Sequence, residues 1–265
     1  MKKLFAFTFL LLLSFQHILW ASYGASFKTE SERTGKILVL IIASDNAPYY
    51  NAHQNIWRSY MHLDPNIEAY FMKCDPQIKC DVQIEGDVIW VKARETYIPG
   101  ILDKTIISME YMIPRLKEFD YVLRTNLSSF YIFSRLINFT KNLPLNNCYC
   151  GPLLRYKGGI RYAAGSGFLL STDLVELLVE GKKKLINHPL IDDVAIGEYL
   201  TSRDIDIIPS PRLDILNINS WNKNKNSISE DTFHFRLKNL EHKRNSDEIF
   251  IMSELLGRFY GIHLN

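Results

Sequence analysis

The chain has 265 residues, a formal net charge of +2 at neutral pH, and 47% hydrophobic and 23% charged residues. That length holds one sizeable core, or one core behind a leader, and the balance is that of a globular protein rather than a disordered or fibrous one. So small a charge gives no reason to expect a nucleic-acid partner, and no internal repeat stands out.

The first 25 residues differ from the rest. Lys2 and Lys3 precede the apolar run LFAFTFLLLL, and small residues follow near Ala21 and Ala25. This is the layout of a secretory signal peptide. An uncleaved membrane anchor is the alternative, but Ser14, Gln16 and His17 interrupt the roughly 20 apolar residues that a spanning helix needs. Either reading puts the remaining chain across a membrane from the cytoplasm, in a lumen, a periplasm or the extracellular space. Residues 26–35, polar and turn-rich, read as a stem or linker, and 36–265 as the folded domain. An even count of four cysteines in an exported chain suits disulfides. Cys74 and Cys80 flank the turn-prone DPQIK and are expected to pair, while Cys148 and Cys150 are expected on opposite faces of one strand.

The domain opens with KILVLIIAS, a continuous apolar run expected as a strand buried on both faces of a parallel sheet. A loop and a helix follow, with Ile56, Trp57 and Tyr60 turned inward, and then the strand candidates IEAYFMKC and DVIWVKA. Strand and helix in alternation place the fold in the α/β class, with a mixed, mostly parallel central sheet flanked by helices. In such sheets ligands bind beyond the carboxyl ends of the strands, so the loop after the first strand, including Ala43 and Ser44, is a candidate nucleotide contact. A helix is expected from Leu102 to about Leu116, with Lys104 near its start as either a phosphate contact or a solvated charge. The strand FDYVLRTNLSSF comes next. LNNCYCGPLLRYKGGIRYAAGSG reads as a hairpin that turns at Gly158-Gly159 and carries Arg155, Lys157 and Arg161. IDIIPSPRLDIL is a further strand with its exit loop, and NINSWNKNKNSIS is read as a long mobile loop. His234 lies between two phenylalanines in DTFHFRLKN, where Arg236 and Lys238 are candidate phosphate contacts. SDEIFIMSELLGRFYGI closes the chain as an amphipathic helix capped at Ser246-Asp247.

The stretch from Tyr162 to Gly197 carries the densest signal. YAAGSGFLLS combines two glycines, which admit close approach of other groups to the backbone, with a short apolar strand. A helix capped at Thr172-Asp173 and rich in lysine at its end follows. HPLIDDVAIG then brings Asp192 and Asp193 to the start of another helix, either as a carboxylate in a glycine-lined cleft or as an acidic cap.

YAAGSGFLLS followed by DDVAIG resembles the core of the beta-1,3-galactosyltransferase and Fringe-like glycosyltransferases, whose members carry Y-x-x-G-x-G-Y-V-L-S and then E-D-V-x-x-G. Tyr162, Gly165, Gly167, Phe168, Ser171, Asp193, Val194 and Gly197 take matching positions, with Asp192 in place of the glutamate. The resemblance covers most of residues 36–200. It implies a single GT-A-like domain, a UDP-sugar donor, a glycan acceptor, and inverting transfer of a hexose or N-acetylhexosamine with Asp193 as the base. It further implies donor contacts at Ala43, Ser44, Lys104, Arg124, Asn126, Ser128, Gly165 and Gly167.

The family's strand ending in K-T-D-D-D-V-F supplies acids that hold Mn²⁺ or Mg²⁺ against the diphosphate, as hard cations require. Arg124-Thr125 aligned on K-T puts Asn126, Leu127 and Ser128 on those acid positions, with no carboxylate. A metal would then rest on Ser128 and on a late histidine, His234. Trp57 stands where the family's next helix carries an arginine, with Arg58 beside it. Loss of the acids also admits a non-catalytic glycan- or nucleotide-sugar-binding protein on the same scaffold, or a secreted structural or adhesion protein.

Overall fold

The computed structural model describes residues 27–46, 48–237 and 245–264. The leader reading of residues 1–25, and Lys238 with it, lie outside these. Among the described residues no helix is long and apolar enough to cross a membrane.

The elements in chain order are β1 (Ile37–Ile42), α1 (Tyr50–Tyr60), β2 (Ile67–Cys74), β3 (Val82–Glu85), β4 (Val88–Val91), α2 (Gly100–Met112), β5 (Tyr121–Asn126), β6 (Ser129–Tyr131), α3 (Phe133–Thr140), β7 (Tyr149–Gly151), β8 (Leu153–Arg155), β9 (Arg161–Ala163), β10 (Gly167–Ser171), α4 (Thr172–Glu180), α5 (Lys182–Leu185), α6 (Asp192–Thr201), β11 (Ile207–Pro209), β12 (Leu213–Ile215), α7 (Ile218–Asn224), β13 (His234–Leu237) and α8 (Ser246–Tyr260). The central sheet runs β11-β7-β10-β5-β1-β2-β4-β3, with parallel pairs through β5, β1, β2 and β4, and antiparallel pairs at β10 and β3. The expected α/β architecture, with a mixed and mostly parallel sheet between helices, is therefore the one observed.

The all-apolar β1 is explained by what covers it. Ile37, Val39 and Ile41 pack with Trp57, Tyr60 and the α8 side chains Ile251, Met252 and Leu255. Leu38 and Leu40 pack on the other face with Ile106 and Met109 of α2 and with Leu174 of α4. Alternation of side chains across a strand makes one sequence serve two cores. The chain leaves β1 on one side through α1 to β2 and arrives on its other side at β5, so the strand order reverses at β1. A second sheet, β12-β13-β6, stands beside the carboxyl end of β5, and β8 with β9 forms a small hairpin sheet.

Several local expectations change. Residues 27–35 are tied to the domain. Asp120, almost fully buried, accepts the backbone N–H groups of Thr34 (2.9 Å) and Gly35 (2.6 Å), and Arg33 donates to the carbonyls of Thr140 and Leu143. The stretch 218–224 is a helix, not a loop. Asn217 accepts the N–H of Ser220 at its start, and Trp221 is buried with its indole N–H donating to Glu254 at 2.9 Å. The helix after β10 begins one residue early, at Ser171 as cap, and breaks at Gly181. Asn245, rather than Ser246, caps α8.

The four cysteines are free thiols. The expected Cys74–Cys80 bridge is not formed. Cys74 ends β2, where its N–H meets Glu95, whereas Cys80 is exposed with its thiol toward Gln83. Cys148 and Cys150 share one face, in the core that includes Leu169, because residues two apart on a strand point the same way.

Candidate active site

A cleft of about 390 Å³ opens at the carboxyl ends of β1 and β5, where the strand order reverses. That is where open α/β sheets bind ligands, because the chain diverges to both sides and leaves a crevice. Ala43, Ser44, Lys104, Arg124, Asn126, Gly165 and Asp193 all reach it. Ser128, Gly167 and His234 are not among the residues that line it.

The peptide at Gly165 organises the floor. Its carbonyl accepts from the Arg124 guanidinium and from the Asn126 amide (3.1 Å), and its N–H donates to Oδ2 of Asp193 at 2.6 Å. A Cβ at this position would lie 2.8 Å from Asp193 Oδ2 and 2.9 Å from Arg124 Nη1, so glycine is required by close approach and not by an unusual φ. Gly167 is required for the same reason, against the Tyr131 hydroxyl. Arg124, on β5, forms a buried ion pair with Asp192 and lies over the Phe168 ring. Burial brings its pKa down to about 10, opposed by the Asp193 carboxylate, so it remains a cation at neutral pH. The ion pair offsets the negative charge of Asp192 beside Asp193. Asp193 is half-buried, and its Oδ1 accepts the N–H of Val194 at 3.0 Å. It sits in the first turn of α6 but is not the cap, which is Ile191.

Lys104 is not a solvated charge. Its side chain is fully buried, and the ammonium donates to Glu95 (2.5 Å) and to the carbonyl of Ala43 (2.8 Å). It clamps the loop after β1 to α2. Beside that loop, Asp45 pairs with Lys73 at 2.7 Å. Trp57 sends its indole N–H to the carbonyl of Leu127 at 3.1 Å, so it fixes the middle of the Asn126-Leu127-Ser128 turn from behind. Arg58 points elsewhere and pairs with Asp87.

The residues at the acid positions do not fit a divalent metal. Asn126 Oδ1 already accepts from the hydroxyls of Ser128 (3.0 Å) and Ser129 (3.4 Å), and Ser128 is fully buried. The metal roles expected of Ser128 and His234 are corrected. His234 is buried, stacked on Tyr131 with ring centroids 4.5 Å apart, and its Nε2 faces the Tyr131 hydroxyl at 3.2 Å. Burial, and then the charges of Arg212 and Arg236, hold its pKa well below the imidazole range. Among the described residues no group of three His, Cys, Asp or Glu side chains could hold a metal ion.

Another wall of the cleft comes from the second sheet and the residue that precedes β12. Arg212 and Arg236 both line it. Arg212 precedes β12, donates to both oxygens of Asp214 (2.5 and 3.0 Å), and reaches the Ser166 hydroxyl at 2.7 Å. Arg236 lies on β13, paired in register with Asp214 on one side and Ser129 on the other. Sequence reasoning missed Arg212, since nothing local to SPRLD marks it. Tyr97, largely exposed, and Leu154 stand at the mouth.

No family model matches the chain, and no curated protein matches it. Solved structures do match the chain. One is a glycosyltransferase involved in the glycosylation of the major capsid of PBCV-1. It is 11% identical in sequence, and the match covers 82% of this chain and 98% of that one with a TM-score of 0.49.

Proposed function

We propose that the protein is an inverting glycosyltransferase that moves a hexose or N-acetylhexosamine from a UDP-sugar to a glycan hydroxyl. The observation that carries this reading is the Asp193 carboxylate. It is held at the cleft by the Gly165 N–H, on the position of the resembled family's catalytic aspartate, with its neighbouring acid ion-paired to Arg124. In the reaction the acceptor hydroxyl gives its proton to Asp193 as its oxygen bonds to the anomeric carbon. The bond from that carbon to the diphosphate oxygen breaks on the opposite face, and its electron pair leaves with UDP. General-base assistance of this kind contributes about 10² to 10⁴ in rate. Ala43, Ser44 and Asn126 line the part of the cleft that would receive the nucleotide, and Gly165 lets Asp193 and Arg124 approach the backbone there. The leader-like segment supports a location across a membrane from the cytoplasm, exported or anchored.

Calorimetry with UDP tests the reading. Micromolar binding supports it, and no binding sinks it. A non-catalytic binder on the same scaffold is the second reading, favoured by the missing acids at Asn126, Leu127 and Ser128. It predicts UDP or glycan binding with no turnover of any UDP-sugar, and hydrolysis or transfer assays on a donor panel separate the two.

A further inference from the structure

Where the resembled family places acids and a metal, this chain has three neutral residues, one of which is a leucine. A nucleotide diphosphate leaving such a site still develops negative charge that something must take up. The second sheet offers a candidate at that very place. β13 pairs antiparallel with β6, which sets Arg236 opposite Ser129, and the N–H of Leu237 donates to the carbonyl of Ser128 at 2.9 Å. Arg236 is thus fastened beside the turn that has lost its carboxylates. On the next strand Asp214 holds Arg212 by a two-pronged pair, and Arg212 in turn bonds the hydroxyl of Ser166, next to Gly165. Arg212 and Arg236 both line the cleft, as do Asn126, Gly165 and Asp193.

We infer that Arg212 and Arg236 form a diphosphate subsite that does the work of the missing metal. The inference rests on the UDP-sugar reading for its ligand, but its residues and their geometry are independent of it. Arginine suits the task because its planar fork meets phosphate oxygens through two parallel hydrogen bonds and stays charged at any working pH. Asp214 and Ser166 are positioning groups that fix the orientation of Arg212. In the transfer step the two guanidiniums receive the charge that gathers on the departing phosphate oxygen as its bond to the anomeric carbon breaks. No co-reactant beyond donor and acceptor is needed.

Calorimetry in EDTA, with inorganic pyrophosphate, UDP and uridine as separate probes, tests this on the full chain and on Arg236→Gln, Arg236→Lys and Arg212→Gln. Melting temperatures, read first, show which variants are folded. The full chain should bind pyrophosphate and UDP without metal, and added Mn²⁺ should change neither by more than about twofold. Arg236→Gln and Arg212→Gln should each weaken both anions at least about tenfold and leave uridine unchanged, with Arg236→Lys between. If a Gln variant misfolds, the Lys variant at the same position (Arg236→Lys or Arg212→Lys) decides, since a loss confined to the two anions still distinguishes fork from point charge. Unchanged pyrophosphate affinity in the variants, or binding that requires Mn²⁺, overturns the subsite. Pyrophosphate binding without UDP binding keeps the subsite and removes the UDP-sugar reading. UDP binding that ignores both arginines does the reverse.

Discussion

The floor and the wall of the cleft carry charge in opposite ways. On the floor, Lys104 and Arg124 are almost fully buried, and each is matched by an acid, Glu95 or Asp192. On the wall, Arg212 is also matched by an acid, Asp214, but both it and Arg236 are only partly buried and line the cleft. Burial decides what a charge can do. A buried ion pair roughly repays its own desolvation, so it shapes the site, but losing one partner strands the other at high cost. A half-exposed cation keeps part of its hydration and can exchange it for a ligand's oxygens. Floor substitutions should therefore be felt in folding and wall substitutions in binding.

The largest effect that would break this contrast is on the floor. Arg124→Leu leaves the Asp192 carboxylate buried without its partner, and should cost about 3–5 kcal/mol in urea unfolding. Arg124→Leu combined with Asp192→Leu should recover much of that loss. If the single change proves mild, the pair is not the structural element described. Asp193→Asn comes next. It should lower turnover at least roughly a hundredfold, which is about 2.7 kcal/mol of barrier. Because an amide oxygen can still accept one of the two N–H groups, stability should fall by only about 1 kcal/mol. A large drop in melting temperature with no specific loss of rate would assign Asp193 to structure alone.

A third test uses acid. His234 is held neutral in the folded chain, with its pKa depressed mainly by burial, while the unfolded chain titrates near 6.5. The unfolded state therefore binds more protons as the pH falls below about 6.5. The native state should lose up to about 1.4 kcal/mol per pH unit until the depressed folded pKa is reached. Above about 6.5 this contribution is fully present. Comparing the pH dependence of unfolding in the parent and in His234→Phe isolates it, and identical slopes would show that the ring is not held neutral. The smallest effect is chemical. Exposed Cys80 should alkylate readily in the folded protein, whereas burial pushes the Cys150 thiol up to about 12 and the Cys148 thiol higher still. Mass spectrometry after brief iodoacetamide treatment should find label at Cys80 and none at Cys148 or Cys150.

The sequence was legible where one local property decided the outcome. An uninterrupted apolar run marked β1, and the glycine-containing motif marked the loop that Asp193 holds. It failed where partners come from far away. Lys104 looks like any helix-start lysine until Glu95 and the Ala43 carbonyl are brought to it. Asn217–Asn224 has poor helix formers but gains a side-chain cap and a burial site for Trp221 under α8, and packing overrides propensity. Arg212 could not be found at all, because its role depends on strand pairing in a sheet whose members are scattered through the chain.

That scattering also sets an order of events in the making of the protein. Strand β13 closes onto β6 through residues as far apart as Tyr131 and His234, 103 positions along the chain. The charged residues of the floor all lie no later than α6, whereas the wall lacks Arg236 until β13 has been synthesised and inserted between β12 and β6. A ribosome-bound or truncated chain ending before His234 would lack Arg236 and also the α8 side chains that cover β1. An anionic ligand that bound the finished wall would also favour its insertion by mass action. Ligand capture would then mark the completion of folding as well as the start of chemistry.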